Sequence, residues 1–185
     1  MHDYPADDTL ATIVNKIVEL TRMSQRMIFL GGFLICAGLM AAALFFQHVL
    51  GLEPCPLCIF QRIAVIGTGL VLLIGGLHDP GAWGRRAYGG LTVLTAGAGA
   101  GIAARHVWLQ NLPFDRQPGC SYEFEYMLDN FPLTKTLKLV FAGSGDCAQV
   151  LWTFLGLSIP AWTLLFFIGF IGLGLMLIFT NLGRR

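Results

Sequence analysis

At 185 residues, 55% hydrophobic and only 12% charged, the chain has about half the charge content of an ordinary soluble domain. That balance describes an integral membrane protein. A formal net charge of +1 with no basic patch excludes nucleic acid as a partner, because such binders cluster Lys and Arg to neutralise phosphates.

Residues 1–26 read as a cytoplasmic leader. Within it Leu10, Ile13, Val14, Ile17 and Leu20 recur at helical spacing, the pattern either of an amphipathic helix lying on the bilayer or of a solvated lead-in. Residues 27–185 follow as a single four-helix membrane domain. Its apolar stretches, about 27–46, 58–77, 87–104 and 161–180, each approach the roughly 20 residues needed to cross a bilayer. "MAAALFF" in the first stretch offers the small residues of a signal-peptide cleavage site, yet the apolar run exceeds the typical h-region of about 7–15 residues. The first span is therefore expected to be retained.

Spans two and three are joined by "HDPGAWGRR", a turn short enough to make them antiparallel neighbours. Span three carries "AGAGAG", and small residues let helix backbones approach closely in lipid. Lys16, Arg22 and Arg26 precede the first span, Arg85 and Arg86 lie between the second and third, and Arg184 and Arg185 follow the fourth. The excess of basic residues assigns these segments to the cytoplasm. Two loops then face outward, one at about 47–57 and one at about 105–160. In the second, "LTKTLKLVF" puts Leu133, Leu137 and Val140 on one face and Lys135 and Lys138 on another, the pattern of a short interfacial helix. Trp152 and Trp162 would anchor the return into span four. The expected fold is an all-α, four-transmembrane-helix bundle with a short first and a long second outer loop.

Five cysteines are present: Cys36, Cys55, Cys58, Cys120 and Cys147. Cys36 falls mid-span and reads as a small buried hydrophobe. The other four belong to the outer loops, two in each, where an oxidising compartment permits disulfides. A bridge between Cys55 and Cys58 would close too small a loop to contribute much stability, which favours redox chemistry over stapling. Pro56 pushes Cys55 to extended backbone and suits the first position of a helix. Cys58 then lies in the first helical turn, where unpaired N–H groups favour a thiolate, the reactive form. Arg62, four residues on, shares that face about one turn deeper. It can support a thiolate and donate hydrogen bonds to a carbonyl-bearing ligand arriving from lipid, or it can simply snorkel toward headgroups. For Cys120 and Cys147 the readings stay balanced. A bridge there would contribute roughly 3 to 4 kcal/mol as a staple, while "PGCSY" and "GSGDCAQ" leave room for a partner's thiol.

"FFQHV", "CPLCIFQR" and "GSGDCAQVLWTFLGLSIPAW", in this order among four spans, resemble the DsbB family of bacterial inner-membrane disulfide bond formation proteins. The resemblance runs from about residue 45 to 162. It implies that Cys55, Cys58, Cys120 and Cys147 are catalytic and that Arg62 belongs to a quinone site, with Arg105 and His106 as further candidates for that pocket. It also implies DsbA, a periplasmic thiol oxidase, as partner through a mixed disulfide at Cys120, and ubiquinone or menaquinone as electron acceptor. Both termini are then cytoplasmic and the cysteine loops periplasmic. The chain departs from the family's pattern in its longer leader and in Gln61, a position expected to be acidic; neither touches the electron path.

Two other readings compete. A vitamin K epoxide reductase-like enzyme also combines four spans, paired cysteines and a quinone, but its membrane-proximal Cys-x-x-Cys is expected late in the chain. A non-enzymatic metal-binding membrane protein could use Cys55, Cys58, His48 and His106, since zinc favours such ligands, but it would leave Cys120 and Cys147 without a role. The favoured reading assigns no metal.

Overall fold

The computed structural model describes residues 6–113, 115, 132, 134–135, 138, 143, 145–150 and 152–179, with side chains described from residue 25 on, that of residue 146 excepted. Three long helices come first: α1 (Ala6–His48), α2 (Pro56–His78) and α3 (Ala82–Gln110). A single turn, α4 (Gly145–Ala148), and a small hairpin of β1 (Thr153–Phe154) and β2 (Leu157–Ser158) lead into α5 (Ile159–Phe179). Segments 25–48, 56–78, 82–110 and 159–179 are long and apolar enough to cross a membrane. The protein is a multi-pass membrane protein with the four expected spans.

The helices overrun the expected bounds at the sulfur-bearing end. α3 continues to Gln110, so Arg105 and His106 lie in its last two turns, and the second loop starts at Asn111 rather than near residue 105. Leader and first span are one helix of 43 residues, with no turn that would lay the leader on the bilayer. The reason is local: neither Gly nor Pro occurs between Ala6 and Leu30, so nothing interrupts the backbone hydrogen bonds. The interfacial helix expected at 133–141 falls mostly outside the described residues; Thr134, Lys135 and Lys138 are helical and exposed.

Packing is tightest between α3 and α5, followed by α1 with α2 and α2 with α3. The buried positions of α3 are Arg85, Gly89, Thr92, Ala96, Gly99, Ala103, His106 and Leu109, a stripe of alternating three- and four-residue steps for most of its length. This is the seam along which two helices meet at a shallow angle. Glycine is required within it. A Cβ on Gly89 would stand 2.8 Å from the carbonyl oxygen of Gly174 in α5, so here the two backbones touch. α1 and α5 make few direct contacts, which leaves an opening between them at the sulfur-bearing end.

The opposite end is closed by side chains that donate to carbonyls of the α2–α3 turn and of helix C-termini. Gln25 donates to Pro80 O at 3.1 Å, Arg26 to Gly76 O at 3.3 Å and Arg85 to Leu177 O at 3.2 Å. Arg85 is 1% exposed, so a cation that by composition only marks sidedness also ties α3 to the end of α5. The β-hairpin lies within the stretch assigned to the second outer loop. Its two-residue strands turn at Leu155 (φ 51°) and Gly156 (φ 80°), the paired positive φ values of a tight hairpin turn.

Candidate functional site

Cys55 has extended backbone (φ −65°, ψ 162°) and Pro56 opens α2, so the proline organises the thiol pair as its sequence position requires. Cys58 comes round in the first turn, bringing its Sγ to 3.3 Å from Cys55 Sγ. Both cysteines are half-buried.

From α3, His106 closes over the pair. Its Nε2 lies 3.8 Å from Cys55 Sγ and its Nδ1 4.0 Å from Cys58 Sγ. The ring is 2% exposed because it occupies the packing stripe of α3, seven residues after Gly99. Gln61, also buried, sets its side-chain amide 3.0 Å from His106 Nδ1, a hydrogen bond whose direction follows the imidazole tautomer. This bond fixes the imidazole between the two sulfurs. Cys147 reaches the same neighbourhood from α4. It is fully buried in one apolar cluster with Leu57 and Leu109, against which Cys55, Phe60 and Ile102 pack. Gly143 makes this approach possible: it has φ +91°, and a Cβ there would lie 2.5 Å from the Leu109 side chain.

Arg62 turns away from the sulfurs toward α1. It donates Nη1–H to Gln47 Oε1 and Nη2–H to the Ala43 carbonyl at 3.2 Å. Beyond it lies a cavity of about 290 Å³ in the opening between α1, α2 and α5, capped by the hairpin. Met40 and Phe46 of α1, Val65 of α2, Trp152 just before the hairpin and Phe154 within it, and Trp162 and Phe166 of α5 make its walls apolar, and Glu53, Cys58, Gln61, Arg62 and Thr163 are its polar exceptions. Phe46, Trp152 and Phe154 form a continuous aromatic edge, with centroids 4.8 and 5.9 Å apart along it.

The structure therefore brings together Cys55, Cys58, Cys147 and His106, and sets Arg62 on the cavity that Cys58 also lines. Arg105 is not brought in: its guanidinium lies over the Trp108 ring at 4.2 Å, and neither Arg105 nor His106 lines the cavity. Cys120 lies outside the described residues. Cys36 is buried in the bundle core, as expected, and His48 is exposed at the end of α1. Sequence reading missed Gln47 and the contact of Gln61. The first lay within the "FFQHV" stretch and the second within "CPLCIFQR", but both act on residues of other helices, and no local spacing reveals that.

These features define a class: multi-pass membrane proteins with a thiol pair at the entrance of one span and a further buried sulfur in the apolar cluster beside it. Within that class the chain belongs to the DsbB family, whose model, described as disulfide bond formation protein DsbB, matches residues 25–177. It is 54% identical over 160 residues to disulfide bond formation protein B of Saccharophagus degradans, covering 85% of this chain and 94% of that one. To the protein of the same name from Nitrosococcus oceani it is 53% identical over 147 residues, 80% of this chain and 87% of the relative. The one from Methylococcus capsulatus is 54% identical over 150 residues, 81% and 92%. The family is one of disulfide bond formation, which makes the chain a membrane disulfide oxidoreductase.

Proposed function

We propose that the protein reoxidises a soluble thiol oxidase of the DsbA type at the periplasmic face of the bacterial inner membrane and passes the electrons to membrane quinone, ubiquinone or menaquinone. The observation that carries this reading is that Cys58 and Arg62 line one apolar cavity. A chamber of about 290 Å³ with a guanidinium and a sulfur among its few polar groups suits a flat ring that bears carbonyls and an apolar tail. A quinone bound there supplies a two-electron, two-proton acceptor.

Each residue has a place in the reaction. Arg62, held by Gln47 and the Ala43 carbonyl, would hold a ring carbonyl by a charge-assisted hydrogen bond. Cys58, at the positive end of α2, is the sulfur that faces the acceptor. Forming the Cys55–Cys58 disulfide releases two electrons and two protons, the number that converts a quinone to its quinol. The imidazole of His106, 3.8 Å from Cys55 Sγ, is the nearby group through which a thiol proton can leave. Upstream, the incoming thiolate attacks Cys120 of an oxidised Cys120–Cys147 pair, forming a mixed disulfide and releasing Cys147 as thiolate. The partner's second thiol resolves that bond, and the reduced loop pair then exchanges with the Cys55–Cys58 disulfide. Burial of Cys147 in the cluster against which Cys55 packs supports transfer between the pairs.

The test is quinone reduction by reduced DsbA in membranes containing the protein. One quinone should be consumed for each DsbA oxidised, and Cys58→Ser should abolish the reaction. Oxidation of DsbA with no quinone consumed would overturn the acceptor assignment, and no oxidation of DsbA at all would overturn the partner.

A further inference from the structure

We propose that the reduced protein also binds a soft divalent cation of the Zn²⁺ or Cd²⁺ type, through Cys55 Sγ, Cys58 Sγ and His106 Nε2, and that the bound ion withdraws the thiol pair from exchange. The two sulfurs and the imidazole nitrogen lie within 4.8 Å of one another. Zinc binds sulfur at about 2.3 Å and histidine nitrogen at about 2.0–2.1 Å, so tetrahedral ligands around it stand roughly 3.5–3.8 Å apart. The sulfur pair at 3.3 Å and the Cys55 Sγ to Nε2 separation of 3.8 Å already approach that spacing.

Gln61 completes the argument. A histidine that ligates through Nε2 carries its proton on Nδ1 and needs an acceptor there, the outer contact that orients most metal-bound histidines. Gln61 is 3.0 Å from Nδ1, and its amide can present oxygen as readily as nitrogen. The chelate is thus supported from behind by a buried residue, while the half-buried thiols leave a side open for an ion to enter. Described residues supply three ligands, and water fills the fourth position. His48, exposed at the end of α1, takes no part.

Such a site exists in only one redox state. Metal binding displaces the thiol protons and moves no electrons, whereas the Cys55–Cys58 disulfide has no thiolate to offer. The ion therefore competes with disulfide formation and acts only on protein caught between reduction and reoxidation. None of this depends on the identity of the electron donor or acceptor, so it stands or falls apart from the proposed reaction.

The experiment uses the full chain with Cys120→Ser and Cys147→Ser, which removes the other loop thiols, and titrates Cd²⁺ alone against reduced and oxidised forms. One ion per reduced chain should bind, seen as thiolate-to-cadmium absorption, and should protect Cys55 and Cys58 from maleimide until a chelator is added. His106→Ala should weaken binding at least tenfold, and Gln61→Leu roughly 10- to 100-fold if it orients the ligand. Equal binding by reduced and oxidised protein, lack of protection, or an unchanged affinity in His106→Ala of normal helicity would overturn the proposal. The redox comparison is made on one polypeptide, so a folding defect cannot imitate it.

Discussion

Arg62 is held at two points on α1, the Gln47 side chain and the Ala43 carbonyl, so its position depends on a neighbouring helix as well as its own. A hydrogen bond from a charged group contributes about 1.5–3 kcal/mol. Arg62→His should therefore raise the quinone KM roughly 10- to 100-fold. Gln47→Leu leaves the charge in place and should raise KM less, with kcat retained; the two are compared by steady-state kinetics over a range of quinone concentrations. The thiols make a different prediction. If Cys147 is the leaving sulfur when Cys120 is attacked, Cys147→Ser leaves Cys120 without its intramolecular partner. A covalent adduct with DsbA should then accumulate on non-reducing gels and disappear on adding reductant.

At the scale of the element, α3 couples packing to chemistry, because His106 lies on the stripe that meets α5. Gly89 touches the backbone of Gly174, whereas a Cβ on Gly97 would meet nothing within 4 Å. Gly89→Ala should cost about 1–3 kcal/mol through overpacking, lower the thermal midpoint, and slow thiol exchange as the helix shifts. Gly97→Ala should be neutral or stabilising, by up to about 1 kcal/mol. Thermal unfolding in detergent distinguishes the two. The same helix shows what the sequence could reveal. Four spans were legible because apolar runs of membrane length have few alternative fates, and Cys55, Cys58 and Arg62 were legible because their relation is local to one helix start. His106 was nominated for the acceptor pocket but stands by the sulfurs, 45 residues along the chain from the Gln61 that orients it. Which side of α3 faces α2 is decided by tertiary packing. The hairpin was illegible for another reason: strands of two residues carry no period, and Leu155 stands at a positive-φ position that glycine or asparagine usually marks.

Across the whole molecule the two ends differ in kind. One gathers Cys55, Cys58, Cys147, His106, Arg62 and the cavity; the other is closed by Gln25, Arg26 and Arg85 on turn and helix carbonyls. If the basic end is cytoplasmic, a membrane-impermeant maleimide added to intact spheroplasts should label reduced Cys55, while protease should cut the leader only in inverted vesicles. The opposite pattern would reverse the assigned orientation. The four tryptophans follow the same division. Trp152 and Trp162 line the cavity, Trp108 lies beneath Arg105, and Trp83 is 83% exposed near the basic end. An electron-poor ring entering the chamber would darken the first two indoles and leave the others glowing. The protein thus carries its own gauge of occupancy: its emission should fall to a plateau as quinone is added, and the drop should shrink in Trp152→Phe.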